Sequence, residues 1–135
     1  ARGFAVEKQA LIYPVVDLTL SGDSMCEFAH AAVMTRRDME NYVSLYVPNP
    51  AERTDPLASA LLAHSHAGLP RALVVTAGRD PLRDDGRRYA AALSSAGVAA
   101  QLVEYPEMPH GFTSAPTVFP EARAALRAVA EFLLG

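Results

Sequence analysis

The chain has 135 residues, the usual size of one domain (about 100–150), and its 50% apolar and 20% charged content excludes a disordered tract. A formal net charge of −3 excludes a basic field able to hold nucleic acid or an anionic membrane. The longest apolar run, Ala72–Ala77 with Thr76 admitted, falls far short of the about 20 residues that a membrane span needs.

Cys26, the one cysteine, cannot close an internal disulfide, and with scattered histidines it makes no zinc site. The start, Ala1-Arg2-Gly3-Phe4, has no initiator Met and no apolar signal segment, so it reads as a chain whose beginning is missing. A cytoplasmic origin is the default expectation.

In chain order, Gln9–Tyr13 reads as a buried strand stopped by Pro14. Residues 15–33 have no clean period and form an irregular excursion with a turn cluster at Ser21-Gly22-Asp23-Ser24. Thr35-Arg36-Arg37-Asp38 matches a capping box, and Met39, Tyr42, Val43 and Tyr46 then make one helical stripe, ended by Pro48 and Pro50. Residues 51–70 read as loop with at most one short helical turn. Arg71–Ala77 is a second buried strand, and Gly78 opens a loop. Asp84 or Asp85 can cap the next helix, which carries Tyr89, Leu93 and Ala96 on one face and stops at a left-handed Gly97. Val98–Tyr105 is a third strand, ended by Pro106, and 107–116 is loop. Pro120 suits the first position of a last helix whose buried face holds Ala122, Ala125, Leu126, Val129, Phe132 and Leu133.

Strands separated by helix-length segments imply an α/β chain of about three parallel strands with right-handed crossover helices. Ligands and catalytic groups gather outside the carboxyl ends of such strands. Two loops there hold titratable residues: Gly78–Asp84 after the second strand and Pro106–Phe112 after the third. A carboxylate at Asp80 could accept the imidazole N–H of His110, fixing its tautomer as a hydrolase base requires. Asp80 is equally a turn-former before Pro81, and His110 equally a partly exposed loop histidine.

Leu11-Ile12-Tyr13-Pro14, Asp55-Pro56-Leu57-Ala58-Ser59, Asp80-Pro81-Leu82-Arg83-Asp84 and His110-Gly111-Phe112 occur in this order. Together they resemble the C-terminal half of the hormone-sensitive-lipase-like α/β-hydrolases, the bacterial carboxylesterases and lipases. The resemblance runs from about Gln9 to the end. It implies a single partial domain over 1–135, with a cap-like excursion and connection at about 15–70 and a core at 71–135 carrying acid and base. It makes Asp80 the triad acid and His110 the triad base, in the family order Ser…Asp…His, and places the cap helix around Arg36–Tyr46. It implies a carboxylic-ester hydrolase with an acyl ester as substrate and no metal or organic cofactor. The family's Gly-x-Ser-x-Gly nucleophile elbow and His-Gly-Gly-Gly oxyanion motif are not in this sequence, and are expected before Ala1.

Gly22-Asp23-Ser24-Met25-Cys26 imitates the elbow, but Cys26 stands where its strained turn needs a small residue, so Ser24 reads as an exposed loop serine. His64-Ser65-His66 reads as a solvated loop pair, and Arg36, Arg37, Arg87 and Arg88 as solvated helix faces. Met34, Met39, Tyr42 and Tyr46 wall either an acyl pocket or the helix core. The rival readings are an inactive truncated or decayed fragment and another hydrolase branch such as a peptidase. The Asp55–Ser59 run and the cap helix argue against the latter.

Overall fold

A computed structural model describes residues 5–135. Three strands, β1 (Lys8–Ile12), β2 (Arg71–Arg79) and β3 (Ala100–Pro109), form one parallel sheet in the order β1-β2-β3. Four α-helices accompany them: α1 (Ser24–Glu27), α2 (Arg36–Tyr46), α3 (Arg83–Ser95) and α4 (Pro120–Leu134). The expected α/β architecture is the observed one.

The central strand explains the layering. From Ala72 to Gly78 every residue of β2 is buried, because the strand has a neighbour on each edge and a helix on each face. Its side chains alternate. Leu73, Val75 and Ala77 meet Phe112 and α4 through Ala122 and Ala125, while Ala72 meets α3 through Tyr89 and Leu93. A third apolar cluster lies in the excursion, where Leu18, Met25, Met34, Met39 and Val43 close over Leu82.

The helix ends follow local chemistry. Thr35 caps α2 in a complete capping box: the Asp38 N–H donates to Thr35 Oγ1 at 3.2 Å, and the Thr35 N–H donates to Asp38 Oδ2 at 2.8 Å. α3 ends at Gly97, left-handed at φ +78°, with Val98 N bonded to Leu93 O and Gly97 N to Ser94 O. That pair of bonds is a Schellman stop, completed by apolar contact of Val98 with Leu93.

Several expectations need correction. β2 and β3 run past their expected ends, to Arg79 and Pro109, because a register shift between Ala77 and Arg79 absorbs Pro106, which has no N–H to give to a regular ladder. Neither Asp84 nor Asp85 caps α3. Leu82 holds the cap position without a side-chain bond, and both carboxylates turn instead to the excursion. On α4, Leu126 and Leu133 are exposed; Ala122, Ala125, Val129 and Phe132 form the face that packs on the sheet.

Candidate active site

The extended ends of β2 and β3 place the two candidate residues. Arg79 and Pro109 are register partners across the parallel pair, so Asp80 and His110 leave neighbouring strands at one level. His110 Nδ1 lies 2.8 Å from Asp80 Oδ2. A carboxylate can only accept, so Nδ1 carries the proton and Nε2 is left with its lone pair. Asp80 is fully buried, and its other oxygen, Oδ1, accepts the Leu82 N–H at 2.9 Å. Each carboxylate oxygen therefore has a donor, which fixes the plane of the group. The His110 side chain keeps 23% of its surface, enough for its outer edge to meet a reactant.

Gly111 adopts φ +76°, and a side chain there would meet nothing within 4 Å, so the glycine is needed for its backbone and not for space. The turn it makes opens a short 3-10 segment at Phe112–Ser114, which sends Phe112 into the core beneath the site. The Tyr13 ring stands 4.5 Å from the His110 ring, and its hydroxyl is 2.7 Å from Thr113 Oγ1. The sequence marked Tyr13 as a strand end within the Leu11–Pro14 motif but gave it no part in the site, and Thr113 did not stand out. The available signal was Tyr13 itself, an aromatic at a strand end directly before proline.

Ser24 is not an exposed loop serine. It is fully buried at the start of α1; its Oγ donates to the Pro81 carbonyl at 2.7 Å and accepts the Asp84 N–H at 3.1 Å. Both capacities of the hydroxyl are spent on tying the excursion to the Asp80–Asp84 turn. The same region holds a buried carboxylate pair. Asp85 accepts the N–H groups of Val16 and Asp17, yet burial outweighs these bonds and pushes its pKa up to about 6. Burial also works to raise Asp17, but hydrogen bonds from Ser21 and Thr19 and the Arg88 charge together hold it below the usual carboxylate range.

The remaining candidates separate. His64 is exposed, but His66 is buried, with Nε2 3.0 Å from the Ala60 carbonyl and its ring edge-on to Tyr89, so the two are not a solvated pair. Arg87 chelates Glu104 and Arg88 pairs with buried Asp17, so those two are not free solvated charges. Met34 is core, whereas Met39, itself buried, joins the exposed Tyr42 and Tyr46 in lining an open apolar groove of about 340 Å³ with Leu18, Val43 and Ala58. The Asp55–Ser59 run forms a turn that delivers the buried Ser59 hydroxyl to the Leu18 N–H at 2.8 Å.

A three-layer parallel sheet with an acid and an imidazole on adjacent strand ends defines a partial α/β-hydrolase architecture. The family model described as alpha/beta hydrolase fold (Abhydrolase_3) matches residues 1–114, and the chain belongs to that family. It is 41% identical over 105 residues to the carboxylic ester hydrolase LipN of Mycobacterium tuberculosis, covering 77% of this chain and 28% of that protein. It is 38% identical over 120 residues to the carboxylesterase NlhH of the same organism, covering 87% and 38%. Among solved structures, the hyperthermophilic esterase of Pyrobaculum calidifontis superposes with a TM-score of 0.89 at 37% identity, covering 93% of this chain and 42% of that one. The chain thus spans less than half the length of the relatives it matches.

Proposed function

We propose that this chain supplies the acid and base of a serine-type carboxylic-ester hydrolase, with Asp80 as acid, His110 as base and an acyl ester as substrate. In this reading residues 1–135 are one partial domain, the cap-like segment at about 15–70 and the acid–base core at 71–135. The observation that carries the reading is the 2.8 Å contact between His110 Nδ1 and buried Asp80, which leaves Nε2 to receive a proton.

The serine that attacks comes from an elbow that this sequence does not contain. As its Oγ adds to the ester carbonyl, Nε2 takes the hydroxyl proton and the ring becomes imidazolium. Asp80, held in plane by the Leu82 N–H, keeps the ring oriented and stabilises that charge. Nε2 then gives the proton to the departing alkoxide. The second half-reaction repeats the sequence with water on the acyl-enzyme and releases the acid. Donors for the developing oxyanion must also come from outside this sequence, since no His-Gly-Gly-Gly run is present.

The test joins this chain, by fusion or co-refolding, to the N-terminal half of a related esterase chosen because it contains a nucleophile elbow. Aryl-ester hydrolysis is expected from the product. His110→Ala should abolish most of it, and Asp80→Asn should lower kcat roughly 10⁴-fold if its role equals that of the acid in serine-protease triads. An active product indifferent to both substitutions would overturn the assignment.

A further inference from the structure

We propose that Tyr13 is a positioning residue that holds the His110 ring on Asp80 by clamping the loop that carries it. The inference deepens the proposed function and rests on it for the role of His110; the clamp itself stands on geometry.

Tyr13 sits at φ +36°, a region that bulky residues avoid. Pro14 steers its predecessor toward extended backbone, so local preference does not account for this conformation. Tertiary contacts do. The Tyr13 N–H donates to the Val75 carbonyl at 2.6 Å, carrying the β1–β2 ladder one residue past the end of β1. From that point the side chain reaches three residues of a single loop. Its ring lies 4.5 Å from the His110 ring at a 58° tilt and 6.2 Å from Phe112, and its hydroxyl is 2.7 Å from Thr113 Oγ1.

The loop needs such a partner. Gly111, between His110 and Phe112, permits many backbone conformations, so the aim of the imidazole is not set by its own segment. Asp80 binds one ring nitrogen but leaves rotation and tilt about that bond open. Tyr13 packs against the ring at a 58° tilt and fastens the loop three residues further on. Strained backbone that persists only because surrounding contacts over-determine it is a mark of such a device.

The experiment is NMR of the 135-residue chain, reading the hydrogen-bonded Nδ1 proton of His110 and the ring nitrogen pattern of the Nδ1–H tautomer. The wild-type chain, held at a concentration below the onset of light scattering, should show both. Their absence there would overturn the Asp80–His110 pair, and the clamp with it. Tyr13→Ala should lose the proton signal to exchange with water, whereas Tyr13→Phe, which keeps the ring, should restore it with about five-fold faster exchange, the factor that loss of one ordinary hydrogen bond allows. Thr113→Val should show the same faster exchange, and the double variant no more than either single one. Val43→Ala, in the excursion core, should lower the melting temperature and leave the His110 signals unchanged, which separates positioning from general stability. A folded Tyr13→Ala chain with wild-type His110 signals would overturn the proposal. Should Tyr13→Ala fail to fold, unchanged exchange in both Tyr13→Phe and Thr113→Val would overturn it equally.

Discussion

Asp85 shows how a single side chain can work against its own charge. It is 1% exposed, and its pKa of about 6 stands above the ordinary 3.8 because desolvation exceeds what the Val16 and Asp17 N–H groups return. The folded state therefore holds a proton on Asp85 that the unfolded chain has released between about pH 4 and pH 6. Its contribution to stability is fully present below about pH 4 and is lost as pH rises through about 6, a change of roughly 3 kcal/mol. Asp17, Asp84 and Glu104 are held low by their partners, and their contributions run the other way, lost only as pH falls through their depressed values. Asp85→Asn keeps an acceptor for the two N–H groups and removes the titration. Melting of both proteins at matched pH should show the variant gaining on the wild type from pH 4 to pH 6 and a constant difference above. Parallel curves would place the buried charge elsewhere.

Among the elements, the irregular end of the β2–β3 pair carries the site. A Cβ on Gly78 would stand 2.1 Å from the Pro106 carbonyl oxygen, a backbone atom with no rotamer to yield. Gly78→Ala should cost at least the about 1–3 kcal/mol of ordinary overpacking and separate the two strand ends, so the His110 Nδ1 proton signal should vanish together with the drop in melting temperature. Gly86 makes the parallel case for α3, where a Cβ would lie 2.3 Å from Thr76 Cγ2. Gly86→Ala should destabilise by a similar amount while leaving the His110 signal in place, because the clash falls on a Thr76 side-chain atom facing α3, and the Thr76 backbone still pairs in register with Glu104. Circular dichroism melts with the NMR readout distinguish the two glycines. Loss of the signal in both variants would mean that the bulge has no special part in aligning the site.

Taken whole, the chain has an open flank. Among the described residues β1 pairs only with β2, and Tyr42, Leu45, Tyr46 and Leu57 are strongly exposed on and beyond α2. Unpaired strand edges and exposed apolar side chains recruit other chains. The purified 135-residue chain is expected to self-associate, with light scattering rising with concentration. A sharp, concentration-independent melt from a monomer would count against it. The same chain should hydrolyse a short aryl ester no faster than background, since it has no elbow and the Ser24 hydroxyl is committed to the Pro81 carbonyl and the Asp84 N–H. Saturable turnover abolished by Ser24→Ala would make Ser24 the nucleophile after all.

The sequence by itself determined the order and type of the main elements and the proximity of two motifs. Apolar runs at 9–13, 71–77 and 98–105, helical stripes after Thr35 and Pro120, and a glycine at 97 are signals written in a few consecutive residues, and local physics suffices to read them. That Asp80 and His110 could meet was legible because strand ends in a parallel sheet collect on one side; their proposed roles came from the ordered motifs. What only the tertiary structure decided depends on atoms far apart in the chain. Asp84 and Asp85 resembled caps, but their carboxylates answer N–H groups of Ser24, Val16 and Asp17, more than 55 residues away. The strands run on to Arg79 and Pro109 because a bulge lets Gly78 pass the Pro106 carbonyl, a close approach that neither segment encodes alone. Tyr13 reaches Thr113 across 100 positions from a backbone conformation that its own neighbours disfavour. Local preference names the elements; the burial of polar groups, each of which must find a partner wherever the fold supplies one, arranges the site.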